Sequence, residues 1–341
     1  MDDSVIKEVI ETVAKEQERD YFADFGHHGY AAARIIDENF KEIQLYNNRQ
    51  TIVFIDGGNA EIAGSANFSF QFFRFYQGMF KGTERLDQKK KEYFGLMATK
   101  EVKDTIVFSA KLFNGNDSVD FDPYDSTLKE GVKRAKISKI ADVIRRYEEL
   151  ELAIDVADHL NENDIIVLDG NLEAAYTGEK TLFERLYRKA GERNIIIAGF
   201  SKTTSLLTKK GSALTSVLLR KKPTGKWYYS SIVEVMNDDH KADIFFVKLH
   251  EDSPYVFRVD LYDGVPYDAE KVFSALAVHA RDPLFLGYPY GLIEADRFAR
   301  VSNQEKEMLK THFRVKCGAD FEKIMQISAA QNAHEILDGK I

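Results

Sequence analysis

Cysteine is almost missing: Cys317 is the only one in 341 residues. A lone thiol closes no intramolecular disulfide and builds no cysteine-rich zinc site. Proline is scarce as well, with six residues scattered along the chain and no Pro/Ser-rich linker. Nothing therefore marks a hinge between independently folding halves, and one elaborated α/β domain is expected. Positive charge is in deficit, 47 Lys+Arg against 55 Asp+Glu for a net −8, so any nucleic-acid binding must rest on local basic patches. Apolar runs reach only about five residues, far short of the roughly 20 that cross a bilayer. The start, Met1-Asp2-Asp3-Ser4, has neither the basic end nor the apolar middle of a signal peptide, so a soluble, cytoplasmic protein is expected. No GxxxxGK[ST] phosphate loop, Gly-x-Ser-x-Gly elbow or HExxH helix occurs, and His27, His28 and His279 read as structural. What is present, 44% hydrophobic and 30% charged residues, excludes a disordered chain.

The pattern divides the chain into a helical lead-in, residues 1–45, and a larger α/β unit, residues 46–341. Val5, Ile6, Val9, Ile10 and Val13 form one stripe, and helical spacing continues past Gly26-His27-His28-Gly29 to Ile36. At Thr51 the period changes. Thr51 to Ile55 is a buried strand stopped by Asp56-Gly57-Gly58, and the aromatic-rich segments 66–80 and 93–113 complete a three-strand antiparallel meander, with the charged stretch 83–92 as a connection. Residues 127–161 are helical. The apolar runs 164–168 and 194–198 flank a helix over 181–191, which implies parallel strands with right-handed crossovers. Strands follow over 228–263, and helices over 270–280, 291–301 and 303–313.

Two of the apolar strands end alike, Ile55-Asp56-Gly57 and Leu168-Asp169-Gly170. Parallel strands bind ligands outside their carboxyl ends, so neighbouring strands would bring these two acids together. Two such anions need a proton or a cation between them, and oxygen donors suit hard ions such as Mn²⁺ or Mg²⁺. The helix before the second strand offers Glu148, Glu149, Glu151 and Asp155, of which periodicity alone selects none. Lys202, after the third apolar run, is placed to hold a phosphate or neutralise a leaving group. Asp296 lies between Ala295 and Phe298 in an otherwise apolar helix face, where a carboxylate needs a cation or a hydrogen-bond partner. Arg220-Lys221-Lys222 beside Trp227-Tyr228-Tyr229 has the composition of a single-strand nucleic-acid platform; Lys89-Lys90-Lys91 and Lys209-Lys210 are further basic clusters.

The ordered set 52–58, Arg146-Tyr147-Glu148-Glu149-Leu150, 165–172, Gly199-Phe200-Ser201-Lys202-Thr203 and Gly287-Tyr288-Pro289-Tyr290 through Ala295-Asp296-Arg297 resembles the NurA nucleases, over about residues 50–302. The resemblance implies an RNase H-like mixed sheet, an antiparallel meander plus parallel strands, with helical elaborations at both ends. It implies a Mn²⁺-dependent deoxyribonuclease with 5′→3′ exonuclease and single-strand endonuclease activity. The implied setting is double-strand-break end resection by a homodimer with a HerA-type hexameric ATPase. The family's metal ligands carry over to Asp56, Asp169 and a helical acid, Glu149 with Glu151 as the fallback; Lys202 matches an active-site lysine. Asp296 stands where many members have His, and it can ligate an ion but cannot act as a neutral imidazole. Two ions held by Asp56, Glu149, Asp169 and Asp296 are the expected cofactor. A sugar or acetate kinase-like phosphotransferase and a non-catalytic adaptor for a DNA-translocating ATPase are the competing readings.

Overall fold

The computed structural model describes residues 2–15, 21–26, 28–46, 50–113 and 118–328; His27 lies outside them. Helix α1 (Asp3–Lys15) is followed by three short strands, β1 (Ala23–Asp24), β2 (Tyr30–Ala32) and β3 (Phe40–Glu42). The expected helix over 22–45 is therefore replaced by strands. The reason is long-range pairing. Ala23 pairs with Thr208, Tyr30 with Val235 and Phe40 with Tyr229, and tertiary partners override a local period. Phe40 packs edge-on against Trp227 and Tyr229 at 4.9 and 4.8 Å, which seats β3 on the edge of the main sheet.

The meander is longer than expected: β4 (Thr51–Gly64), β5 (Phe68–Lys81), β6 (Glu84–Val102), β7 (Thr105–Leu112) and β8 (Val119–Phe121). Residues 84–92, expected as a connection, are the exposed first half of β6. The 93–113 segment is split by a turn at Lys103 and Asp104, both at positive φ (49° and 61°), the geometry that two-residue hairpins require. β4 does not stop at Asp56. It runs on through Gly57-Gly58, still paired to β5, and the register shifts only between Glu61 and Ala63.

Helix α2 (Lys139–Ala157), β9 (Ile165–Asp169), α3 (Glu179–Arg193) and β10 (Ile196–Ser201) supply the parallel part. Then come β11 (Leu207–Thr208), α4 (Leu214–Lys221), β12 (Trp227–Tyr229), β13 (Val233–Val235), β14 (Ala242–Lys248) and β15 (Phe257–Tyr262). The chain goes on through α5 (Ala269–His279), α6 (Tyr290–Ala299), α7 (Asn303–Cys317) and α8 (Asp320–Ser328). The main sheet has eleven strands in the order β3-β12-β14-β15-β10-β9-β4-β5-β6-β7-β8. Only the β4–β9 and β9–β10 pairs are parallel.

The alternation of β4 assigns its two faces. Val53 and Ile55 join Ile140, Val143, Ile144 and Leu150 of α2 in one apolar cluster. Ile52 and Phe54 join α5 and α6 through Leu276, Leu292 and Ala295 in another. Each fully buried Ile, Leu or Phe contributes about 1.5–3 kcal/mol relative to leaving it in water, so the two helical layers are held by a continuous central sheet. No helix of the described residues is long and apolar enough to cross a membrane.

Candidate metal centre

Register brings the two strand-borne aspartates together. β4 and β9 are parallel with Ile55 opposite Leu168, so the next residues, Asp56 and Asp169, lie at one level of the sheet. Alternation turns both toward the α6 face, the side of Phe54 and Val167. α6 is pressed onto that face because Gly291 and Gly58 have no side chains. A Cβ on Gly291 would stand 1.9 Å from Phe54, and one on Gly58 would stand 2.3 Å from the Ala299 carbonyl oxygen. The helix then delivers Asp296. Carboxylate oxygens of Asp56, Asp169 and Asp296 all lie within 4.8 Å of one another.

Lys202, one residue past β10, points between them. Its Nζ donates to Asp169 Oδ2 at 2.7 Å and to Asp296 Oδ1 at 2.8 Å. Burial pulls this ammonium's pKa down, but the Asp169 charge and hydrogen bond, then Asp296, outweigh it and hold the amine above its ordinary value. Asp56 has the opposite fate. Burial first, then repulsion from Asp169 and Glu149, pushes its carboxyl well above the usual range.

Glu149 approaches from the other face. α2 packs beneath β4 so that Glu149 Oε1 sits where a side chain on Gly57 would be, 2.7 Å from its ideal Cβ position. The Asp-Gly step therefore serves close approach of a carboxylate rather than a turn; only the second one, with Gly170 at φ 105°, is a turn. Glu149 is buried, and burial, with a smaller push from Asp169, raises its pKa against the opposing charges of Arg146 and Arg145. It shares with Asp56 and Asp169 a cleft of about 250 Å³, but its oxygens are outside the three-aspartate cluster. Glu151 faces α3, where both its oxygens accept from Arg185 at 2.5 and 3.0 Å. Glu148 accepts from Lys91 at 2.9 Å.

Two supporting groups carry no signal in the sequence. Glu179, fully buried at the start of α3, accepts from Arg146 Nε at 2.8 Å, and Arg146 in turn donates to the Asn171 carbonyl at 2.9 Å. Asp260 on β15 accepts from His240, from Arg258 twice and from the Leu172 backbone N–H. Burial pushes its pKa up, but the His240 hydrogen bond and the Arg258 charge overcome it, and the carboxyl stays below the ordinary value. The loop after Asp169 is thereby clamped from both sides. They escape a linear reading because each acquires its role only through partners on other strands and helices.

The platform expected around 220–229 does not form. Trp227 and Tyr229 are fully buried, and Lys221 pairs with Asp37. A core aromatic has no face left for a base.

A carboxylate cluster where the parallel pairing of β4 and β9 ends, beside an antiparallel meander, fits an RNase H-like architecture. No protein-family model and no curated protein matches the chain. Among solved structures, the NurA nuclease from Sulfolobus solfataricus superposes with a TM-score of 0.53 at 14% identity, covering 92% of this chain and 94% of that one. The fold is thus NurA-like. Endonuclease V from Ciona intestinalis (TM-score 0.39, 10% identity, 91% of this chain and 100% of that one) and an Argonaute from Aquifex aeolicus (0.32, 12%, 76% and 29%) are also similar.

Proposed function

We propose that the protein is a divalent-cation-dependent nuclease acting on DNA. The observation that carries this reading is the convergence of Asp56, Asp169 and Asp296, whose oxygens lie within 4.8 Å of one another. Like charges hold such a spacing only around a proton or a cation. The donors are oxygens alone, which fits Mn²⁺ or Mg²⁺ and disfavours softer ions. The three aspartates would hold the cation, and Glu149, across Gly57, is placed to join a second. Divalent ions in such a site polarise the scissile phosphodiester and lower the pKa of the attacking water.

The remaining groups prepare the site. Lys202 keeps Asp169 and Asp296 from repelling each other and leaves a cation beside them for an incoming phosphate. Arg146 and Asp260 fix the Asp169 loop, so its carboxylate is oriented before substrate arrives. Arg145 lines the same cleft with about two-fifths of its side chain in solvent, a donor fork of the kind that binds phosphate.

The finer reading follows the NurA resemblance. It comprises Mn²⁺ as the cofactor with Mg²⁺ as the alternative, two ions per site, 5′→3′ exonuclease and single-strand endonuclease activity, and a homodimer working with a HerA-type hexameric ATPase in end resection. The test is hydrolysis of end-labelled single- and double-stranded DNA with Mn²⁺, Mg²⁺ or chelator, with and without that ATPase. Wild-type protein should cut only with the divalent ion, and Asp56→Ala should be inactive yet folded. Wild-type-like turnover by Asp56→Ala, or undiminished cutting in chelator, overturns the reading.

A further inference from the structure

We infer that a second nucleic-acid subsite lies beyond the carboxylate cleft, in a groove of about 910 Å³ between the far end of β4 and the loop that leads into α2, and that it holds a single strand about five nucleotides from the reacting phosphate. The inference rests on the nuclease reading for its polarity toward the cleft, but its binding chemistry stands separately. Glu61 and Gly64 to Ala66 line one side; Lys133, Arg134 and Lys136 line the other, and Tyr124 lines the groove as well.

Three observations combine. First, the charge is uncommitted. Among the described residues Lys133 and Arg134 make no ion pair, and Lys136 meets only Glu130, at 3.6 Å. In the other basic clusters some members are paired: Lys90 with Glu92, Lys91 with Glu148, Lys221 with Asp37. Two acids also line the groove, Glu61, which accepts from Ser69 Oγ at 2.6 Å, and Glu130, the partner of Lys136, against three cations. Second, Tyr124 is 60% exposed, a large aromatic face left in water beside cations. A basic groove with an exposed ring is the combination that binds single strands without sequence preference, phosphates to the cations and a base to the ring.

Third, the groove and the cleft are the two ends of one pair of elements. At about 3.4 Å per residue, β4 carries Glu61 about 17 Å past Asp56. At about 1.5 Å per residue, α2 carries Ser138 about 16 Å from Glu149. The two estimates agree, and at about 3.4 Å per stacked nucleotide they span about five nucleotides. Arg145, lining the cleft on the same helix, lies along that path.

The experiment uses the full chain in chelator, where no cleavage occurs, and fluorescein-labelled oligothymidylates of increasing length, read by anisotropy. Affinity should climb until the oligonucleotide spans both ends, at about five to seven nucleotides. Lys133→Glu/Arg134→Glu/Lys136→Glu should weaken binding at least tenfold and flatten the log K against log salt slope by about 2, three contacts at about 0.7 each. Tyr124→Ala should weaken it about tenfold. A control with the same net charge, Lys306→Glu/Lys310→Glu/Lys316→Glu on α7, should bind like wild type. Equal losses in control and groove variants, no loss in either, or no binding by the wild type overturns the subsite. Loss of binding in the groove variant from a wild type that binds DNA but never cuts it would leave the subsite standing while the nuclease reading fails.

Discussion

Lys202 Nζ and Asp169 Oδ2 are 2.7 Å apart, and the same ammonium reaches Asp296 at 2.8 Å. A fixed cation thus occupies one side of a cluster that would otherwise hold only negative charge. Lys202→Met should cost about 1 kcal/mol in chelator, a modest figure because a third of the lysine side chain is in water. The loss should shrink when Mn²⁺ is added, since the ion replaces the missing charge. Thermal denaturation of both proteins with and without Mn²⁺ checks this; an equal Mn²⁺-induced rise in Tm would show that Lys202 and the ion do not share the cluster.

The two candidate helical acids separate by where they point. Glu149→Gln should lower divalent-dependent hydrolysis by at least a hundredfold, because this carboxylate stands against Gly57 beside the aspartates. Glu151→Ala should leave turnover near wild type and cost at most about 1 kcal/mol, the value of a half-exposed pair with Arg185. Steady-state rates with matched unfolding curves decide between them.

His279 makes the fold acid-sensitive. It packs edge-on against Phe54 and Phe80, 5.1 and 5.3 Å between ring centres, and burial lowers its pKa to about 4. The unfolded chain binds a proton near pH 6.5, the folded one only near 4, so this group's stabilisation is complete above pH 6.5 and declines as pH falls toward 4. From pH 7 to pH 5 the difference is about 2 kcal/mol. Urea denaturation should show His279→Phe losing less stability than wild type over that interval; parallel curves would place the sensitivity elsewhere.

Gly291 tests how α6 is seated. Alanine favours a helix by up to about 1 kcal/mol, but its Cβ would stand 1.9 Å from the fully buried Phe54 ring. Overpacking costs about 1–3 kcal/mol, so Gly291→Ala should destabilise. It should also weaken Mn²⁺ binding by shifting Asp296, measurable by calorimetry. A stable variant with unchanged Mn²⁺ affinity would mean the helix adapts without moving its acid.

Much of this arrangement was legible before any coordinates. Ile52 to Ile55, Ile165 to Leu168 and Ile195 to Ala198 read as buried strands because strands covered on both faces need unbroken apolar runs. The acids that follow two of them converge because parallel register leaves little freedom. Residues 22–45 misled because their strand partners lie far along the chain, at Thr208, Tyr229 and Val235. The Lys103-Asp104 turn was hidden because neither residue is the glycine or asparagine such turns favour. The choice between Glu149 and Glu151 needed the helix's rotation about its axis, which packing sets. Trp227 and Tyr229 looked available to a ligand, yet Phe40 claims both.

The cluster draws Asp56 from an early strand, Asp169 from the middle of the chain and Asp296 from α6, which Gly291 and Gly58 let settle onto β4. A ribosome releases these pieces in that order, so a growing polypeptide first carries one acid, then two, and gains the third only late in its synthesis. A cation site that needs all three carboxylates is complete only once α6 has docked, so nascent or misfolded copies lack it.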